Sequence, residues 1–287
     1  MEEVFALIEQ FAPALIGLSA TTPNYYAAIS FTRQIKRRFP DIPTVLGGYH
    51  PSILPRETLH EGCVDYVIRD EAEHSLLQLC KSLDNGGRGL DQIPGLSFKD
   101  RHSQIHNEKS AALKLDDLPF PAYELLPMHF YSSPSYTKFA TPVYQMIGSR
   151  GCPFSCSYCI NAELNVSAKY RRRNVKLVVD EMQLLVEKYG AKQIQFWDPI
   201  FPLGRNHVFE FCEEVMGRSL QDRACWNSTT RAEGLTEEII EMMVAAGCKG
   251  IGFGIESGVP ELLRSVNKKW TWTRSDRCAK SPRSTGW

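Results

Sequence analysis

The 287-residue sequence predicts an α/β fold that is divided into two domains. Short apolar runs alternate with helical patterns along most of the chain, which is typical of parallel strands with helices on the faces of the sheet. Prolines and glycines concentrate between these two alternating regions. We therefore expect an α/β domain over residues 1–88, a proline-rich linker with a hairpin over 89–142, a second α/β domain over 143–267, and an irregular tail over 268–287.

Three strands and two helices are expected in the first domain. The strands are expected over Ala14–Ser19, Pro43–Leu46 and Val64–Ile68. Asn24 is a suitable N-cap for the first helix, which ends in the basic run Lys36–Arg38, as the helix dipole favours. The second helix is predicted over Glu71–Leu83. Its apolar face is predicted to consist of Leu76, Leu79, Cys80 and Leu83.

In the linker, Pro94 and Gly95 precede a predicted hairpin with arms Leu96–Phe98 and Gln104–His106.

Strand and helix patterns resume at residue 143 and predict four βα units. The strands are expected over Val143–Ile147, Gln193–Trp197, Trp226–Thr230 and Gly250–Ile255. Asn174, Asn206 and Thr236 are suitable N-caps for the intervening helices. Four such units resemble half or more of a βα barrel, in which functional residues lie where the strands end.

Charge and hydropathy exclude several classes of partner. The formal net charge is zero and the basic residues are dispersed, which gives no electrostatic case for nucleic acid or an anionic membrane. No apolar run approaches the roughly 18 residues of a membrane span. The acidic N-terminus lacks the features of a signal peptide. We therefore expect a cytoplasmic protein.

Of the nine cysteines, three have the spacing of metal ligands. Five others lie singly in apolar or helical patterns, where a buried and inert thiol is expected. These are Cys63, Cys80, Cys212, Cys225 and Cys248. Cys152, Cys156 and Cys159 instead share one loop after a predicted strand and can hold three corners of a cuboidal iron–sulfur cluster. A zinc site is the alternative, but zinc requires a fourth ligand, and no Cys or His lies close by in sequence.

The stretch Gly-Cys-Pro-Phe-Ser-Cys-Ser-Tyr-Cys, residues 151–159, resembles the cluster loop of the radical S-adenosylmethionine (radical SAM) enzymes. The preceding segment resembles the cobalamin-binding domain of one subgroup. The resemblance implies a partial Rossmann-like cobalamin-binding-type domain followed by a partial (βα) radical SAM barrel. It also implies a [4Fe–4S] cluster on Cys152, Cys156 and Cys159, whose open iron binds SAM.

Further residues are assigned to SAM by the same resemblance. Tyr158 matches an aromatic residue near the adenine, and Asp198 lies where the family contacts the amino group of SAM, although Pro199 replaces the usual second acid. Arg231 and Glu256 match polar residues around the carboxylate and ribose of SAM. A structural ion pair is the alternative for these two.

On the N-terminal side, five residues match cobalamin-loop elements of the family: Ser19, Thr21, Gly47, Gly48 and His50. The Asp-x-His-x-x-Gly element that carries the lower axial histidine is absent, and His50 is interpreted as a loop residue near the corrin edge. The missing element and the four barrel units, where the family has six, predict a chain that is truncated at both ends.

The resemblance implies an enzyme that cleaves SAM reductively to a 5′-deoxyadenosyl radical. Radical methylation or another C–H functionalisation such as ring formation would follow. Its partners would be a small-molecule substrate and an electron donor such as flavodoxin or ferredoxin. Two alternatives remain open: an inactive fragment that at most binds a cluster, and a zinc-binding structural module.

Overall fold

The computed structural model describes residues 2–101, 103–131, 138–161, 170–232 and 234–268. These residues form two compact units, which are divided between Leu113 and Lys114. The expectation of an irregular tail over 268–287 lies outside the described residues, apart from Lys268. None of the described helices has the length and hydropathy needed to cross a membrane.

Unit one contains a five-stranded sheet, ordered β1-β2-β3-β4-β5. The strands are β1 (Ile16–Ser19), β2 (Thr44–Gly47), β3 (Tyr66–Ile68), β4 (Leu96–Asp100) and β5 (Ser103–His106). The first three are parallel, and β4 and β5 are antiparallel to their neighbours. The helices are α1 (Glu2–Phe11), α2 (Tyr25–Arg38), α3 (Tyr49–Ile53), α4 (Pro55–His60) and α5 (Glu73–Asp84).

The predicted hairpin forms, but it does not belong to a linker. β4 pairs antiparallel with β3, so the hairpin completes the sheet of unit one. The boundary expected at residue 88 therefore falls inside this unit, which extends to Leu113.

The predicted apolar face of α5 is half confirmed, because Leu79 and Leu83 pack into a core cluster of unit one and the other two predicted residues do not. Its buried residues are Ser75, Leu79 and Ser82, whereas Leu76 and Cys80 are exposed. The two serines can be buried because their hydroxyls donate hydrogen bonds to main-chain carbonyls, those of Pro94 and Arg88, at 2.7 Å each. The hydroxyls are thereby satisfied, and the α5 face toward the sheet is narrower and more polar than periodicity predicted.

Unit two contains a four-stranded parallel sheet, ordered β11-β10-β9-β6, with sequential strands adjacent as in a βα barrel. Its strands are β6 (Val143–Met146), β9 (Gln193–Phe196), β10 (Cys225–Thr230) and β11 (Cys248–Phe253). A short antiparallel pair, β7 (Ser149–Arg150) and β8 (Arg171–Arg172), follows β6. The helices are α6 (Val175–Lys188), α7 (Arg205–Gly217), α8 (Glu237–Ala245) and α9 (Pro260–Ser265).

Two of the three predicted caps in unit two are confirmed. The Asn174 side chain accepts from the Lys176 amide at the start of α6, and Thr236 accepts from the Ile239 amide at the start of α8. Asn206 instead lies within α7, which begins after Gly204.

The core of unit two lies between the sheet and helices α6, α7 and α8. Phe196 on β9 and Trp226 on β10 meet Phe211 of α7 edge to face, with ring centroids 5.5 and 5.2 Å apart. All three are at most 2% exposed. This packing fixes the strands, so the loops at their carboxyl ends are held on a rigid base.

Candidate functional site

The three cysteines of the expected cluster lie on one loop, residues 151–160, after β6 and β7. Cys156 is buried, and Cys152 and Cys159 are half-buried. The Cys159 amide donates to the Cys156 carbonyl at 3.0 Å, which makes the turn between them tight. Burial raises the pKa of the Cys152 thiol, and the neighbouring Cys159 and Cys156 raise it further. The three thiols are therefore close enough for a charge on one sulfur to affect the pKa of another.

This donor set fits a cluster. Among the described residues, no three His, Cys, Asp or Glu side chains are arranged to hold a metal ion. In an iron–sulfur cluster each thiolate binds a different iron atom, so the sulfurs need a loop around the cluster and not one point of convergence. Three thiols on one loop supply that arrangement and leave one iron for another ligand.

Asp198 holds the start of this segment. It follows β9, is 4% exposed, and accepts from the Gly148 amide with both carboxylate oxygens, at 3.1 and 3.0 Å, and from the Ser149 hydroxyl. Burial raises its pKa to about 6, although these hydrogen bonds favour the charged form. The structure thus gives Asp198 a positioning role, and its predicted contact with SAM stays a prediction.

A buried ion pair also holds the chain just before the cysteine loop, and nothing in the sequence pattern predicted it. The guanidinium of Arg173 donates to the Ile147 carbonyl at 2.8 Å and forms an ion pair with Glu181 of α6. Glu181 is 2% exposed and also accepts from the Tyr123 hydroxyl at 2.5 Å. Arg172, by contrast, pairs with Glu210 on the surface. Of these two adjacent arginines, Arg173 is therefore the one that anchors the chain from a largely buried position.

The middle of the cysteine loop is held by a segment more than a hundred residues away. The side-chain amide of Asn267 donates to the Ser155 carbonyl at 3.0 Å and to its hydroxyl at 2.7 Å. The Ser157 amide donates to the Val266 carbonyl at 3.1 Å. These contacts fix the residues between the cysteines, and no periodic pattern in the sequence marks them.

Two predicted SAM residues, Tyr158 and Glu256, are brought together by Lys268. The Lys268 ammonium lies 3.0 Å from Glu256 Oε1 and 3.3 Å from the Tyr158 hydroxyl oxygen. Lys268 lowers the pKa of Glu256, with a smaller effect from Tyr158. Gly254 leaves room for the pair, because a Cβ there would lie 2.6 Å from Glu256 Oε1. Lys268 therefore belongs to the site and not to an irregular tail.

The fourth predicted SAM residue, Arg231, follows β10 and contacts the cysteine loop directly. Its guanidinium carbon lies 3.9 Å from the centroid of the Phe154 ring, and Nη1 lies 3.9 Å from Cys156 Sγ. Arg231 is thus placed beside a predicted cluster ligand.

The sheet face opposite the core carries a row of side-chain amides. Tyr144, Ile194 and Trp226 point into the core, so the residues that follow them point to the other face. These are Gln145, Gln195 and Asn227, which are aligned in register across β6, β9 and β10. Within the described residues, the buried Gln195 Oε1 has no hydrogen-bond partner. The Gln195 oxygen can accept a hydrogen bond from a bound molecule, whereas the Asn227 oxygen accepts one from Gln193 Nε2 at 2.6 Å.

The predicted cobalamin residues meet at the carboxyl ends of β1 and β2. Gly48 has a φ of +92°, and a Cβ there would lie 2.7 Å from the Ala20 carbonyl oxygen and from Ser19 Oγ. His50 stacks on Tyr25 with ring centroids 3.8 Å apart, and its Nδ1 lies 3.1 Å from Thr22 Oγ1. Gly48 and His50 therefore serve packing between the ends of the two strands, and His50 lies in the short helix α3 and not in a loop.

Exposed groups at the same edge fit a broad, partly apolar ligand such as a corrin. Ser19 and Thr21 are exposed. The rings of Tyr26 and Tyr49 are 81% and 47% exposed, beside the Tyr25–His50 stack. The contact of these residues with cobalamin stays a prediction.

A parallel sheet of sequential βα units with a three-cysteine loop after its first strand defines a radical SAM enzyme fold. The family model for the radical SAM superfamily matches residues 146–286, and that for the B12 binding domain matches residues 1–79. The chain belongs to the radical SAM superfamily, in the subgroup with a cobalamin-binding-type domain before the barrel. The recognition and fold class predicted from sequence are confirmed, and the predicted cofactors agree with this family.

Among known proteins, the chain is 30% identical to an uncharacterized methyltransferase of Pyrococcus horikoshii, over 99% of this chain and 60% of the relative. It is 28% identical to the anaerobic magnesium-protoporphyrin IX monomethyl ester cyclase of Cereibacter sphaeroides, over 94% of this chain and 44% of the relative. The chain therefore spans about half the length of these curated relatives.

Two solved structures share the fold. The radical SAM methyltransferase TsrM from Kitasatospora setae, with cobalamin and a [4Fe–4S] cluster bound, matches 98% of this chain and 57% of its own, with a TM-score of 0.78 and 20% identity. The cobalamin-dependent radical enzyme OxsB, with aqua-cobalamin and SAM bound, matches 95% of this chain and 40% of its own, with a TM-score of 0.77 and 20% identity. At this identity the likeness shows the fold alone.

Proposed function

We propose that the chain is an iron–sulfur enzyme that cleaves SAM reductively and uses the product for radical methylation or another C–H functionalisation. The observation that carries the proposal is the loop with Cys152, Cys156 and Cys159, which would hold the [4Fe–4S] cluster. When bound and reduced, the cluster supplies the electron that splits the SAM sulfonium into methionine and a 5′-deoxyadenosyl radical.

The residues around the loop would bind and orient SAM. Lys268 offers a cation to the carboxylate of SAM, and Glu256 offers an acceptor to the ribose hydroxyls or the amino group. Tyr158 is 50% exposed, so its ring has a free surface for the adenine. Because Lys268 contacts both Tyr158 and Glu256, the three groups would act as one unit.

We further propose that unit one binds cobalamin along its strand-end edge. The match to the B12 binding domain supports this proposal, together with the exposed hydroxyls and rings at that edge. When bound as methylcobalamin, the cofactor would supply the methyl group that is transferred to carbon. His50 is not assigned to the cobalt, because its ring is stacked on Tyr25.

The proposed partners are a small-molecule substrate and a one-electron donor such as flavodoxin or ferredoxin. The amides of Gln145 and Gln195 would face polar groups of the bound molecules. The proposed cellular location is the cytoplasm, where such donors are found.

Anaerobic reconstitution with iron and sulfide tests the cluster chemistry. After addition of SAM and dithionite, we expect 5′-deoxyadenosine from the wild type and none above background from Cys156→Ala. Cys80→Ala is the matched control, because this thiol is exposed on α5, and it should keep full product. Equal amounts of 5′-deoxyadenosine from the wild type and Cys156→Ala would contradict the proposal.

A separate gel-filtration experiment tests whether unit one binds cobalamin. We expect hydroxocobalamin to co-elute with the wild type in gel filtration and to be retained less by a Tyr26→Ala, Tyr49→Ala double variant. Leu77→Ala, which removes an exposed apolar side chain from α5, is the control and should retain as much as the wild type. No retention by the wild type would contradict the cobalamin assignment and leave the cluster proposal standing.

A further inference from the structure

Arg231 is fixed against the cysteine loop by two contacts of different kinds. Its guanidinium stacks over the Phe154 ring at 3.9 Å, and its Nη1 is directed at Cys156 Sγ, also at 3.9 Å. Phe154 and Cys156 are two residues apart on this loop. The Arg231 side chain is therefore directed at Cys156.

The residue type suits this arrangement. A planar guanidinium can stack on a ring with its face and still donate N–H groups in its own plane. Cys156 is the buried member of the triad, at 8% exposure. A charge beside a buried sulfur is screened less by water than a charge on the surface.

We propose that Arg231 is a positioning residue that raises the reduction potential of the cluster by donating to the Cys156 sulfur. The inference rests on the proposed function, because it needs the cluster. Reduction adds one negative charge to the cluster, and a nearby cation stabilises the reduced form more than the oxidised form. Hydrogen bonds and charge at the sulfurs are known determinants of cluster potential.

The midpoint potential of the reconstituted full chain, measured without SAM, tests this role. Dithionite is the titrant, redox dyes are the mediators, and electron paramagnetic resonance reports the reduced cluster. We expect Arg231→Gln to shift the midpoint to more negative potential. Arg231→Lys should fall between Arg231→Gln and the wild type, because it keeps the charge and loses the planar stack.

Two further variants separate the contact from the charge. Phe154→Leu removes the ring on which the guanidinium rests, so we expect a negative shift smaller than that of Arg231→Gln. Arg205→Gln removes the same charge from an exposed surface pair with Glu238 and should leave the potential unchanged. Iron and sulfide contents are measured for every variant, so that potentials are compared at equal cluster loading.

The rival role for Arg231 is the contact with SAM that the sequence predicts. It requires an unshifted potential in Arg231→Gln together with weaker SAM binding by calorimetry, and this result overturns our proposal. If Arg231→Gln holds no cluster, the other two variants decide: unshifted potentials in Arg231→Lys and Phe154→Leu overturn it. A wild-type chain that assembles no cluster overturns both the proposed function and this inference.

Discussion

The loops after the strands differ between the two units in what their family-motif residues contact. Those of unit one pack against each other, whereas the cysteine loop of unit two is held by other segments of the chain. In unit one, Gly48 packs against Ser19 and Ala20, and His50 is stacked on Tyr25. These residues hold the loops to each other. In unit two, segments distant in sequence support the cysteine loop through residues just before the first cysteine and between the cysteines.

The difference teaches that a recognisable motif and its support are separate features of a site. The cysteine spacing is local and visible in the sequence. Its supports are Asp198 after β9, Arg231 after β10, and Val266–Lys268 after α9, which reach the loop only through the fold. The proposals for unit two therefore depend on long-range contacts, and those for unit one on exposed groups at a self-packed edge.

The largest expected effect comes from the buried support of unit two. Glu181→Gln leaves the Arg173 guanidinium buried without its carboxylate, and removing one partner of a buried ion pair typically destabilises by about 3–5 kcal/mol. We expect a loss of that size in the free energy of unfolding, measured by chemical denaturation.

An exposed ion pair provides the matched control. Glu238→Gln removes a carboxylate from the surface pair with Arg205, and such pairs contribute only about 0–1 kcal/mol. If the two glutamate variants lost the same stability, the buried network would not be a specific support for the loop.

In unit one, the packing role of Gly48 predicts a loss of about 2–4 kcal/mol for Gly48→Ala. Its backbone, with φ +92° and ψ −175°, lies in a region that is essentially restricted to glycine. The added Cβ would also collide with the Ala20 carbonyl. Gly62→Ala is the control: φ is +75° and the space is open, so only about 1–2 kcal/mol of backbone strain is expected. Equal losses in chemical denaturation would contradict the close approach of the two loops.

Unit two also contains two buried groups whose pH dependences oppose each other. The pKa of Asp198 is raised from 3.8 to about 6, so its contribution to stability is full below about pH 4 and is lost as the pH rises through 6. The pKa of His207 is lowered from 6.5 to about 4 by burial, so its contribution is full above pH 6.5 and is lost as the pH falls through 4. Each shift corresponds to about 3 kcal/mol.

Single variants should separate these two slopes between pH 4 and 6.5. The stability difference between the wild type and Asp198→Asn should change in one direction over this window, and that for His207→Gln in the other, in denaturation series at matched ionic strength. In the wild type the two contributions nearly cancel. Parallel slopes in the two variants would refute the assignment of opposite shifts.

The sequence predicted the strands of the two main sheets and the longer helices α2 and α5 to α8, because apolar periodicity is local, but it missed α1, α3, α4 and α9. It predicted the cysteine loop because the ligands are adjacent in sequence. It failed where satisfaction of polar groups overrides periodicity. In α5, Ser75 and Ser82 are buried because carbonyls outside the helix accept hydrogen bonds from them. Lys268 was placed in a tail because the apolar pattern ends before it, although Glu256 makes it part of the site. Such roles depend on contacts that only the fold creates.

The smallest expected change in stability concerns the contact between Asn267 and the cysteine loop. Asn267→Asp keeps the shape of the side chain but removes its N–H donors, which bond Ser155 at 3.0 and 2.7 Å. A typical hydrogen bond contributes about 0.5–1.5 kcal/mol, so the free energy of unfolding should fall by about 1 kcal/mol.

The loop between Cys152 and Cys156 would nevertheless lose a direct restraint, and we expect the reconstituted cluster to lose iron to a chelator several-fold faster. Ser155→Ala removes only the hydroxyl acceptor and leaves the carbonyl, so its iron loss should lie between the wild type and Asn267→Asp. Asn85→Asp, at the end of α5 in unit one, is the control for the added charge and should lose iron at the wild-type rate. If Asn267→Asp also retained iron like the wild type, the contacts from the distant segment would not affect the stability of the cluster. The contrast between the two units would then rest on Asp198 and Arg231 alone.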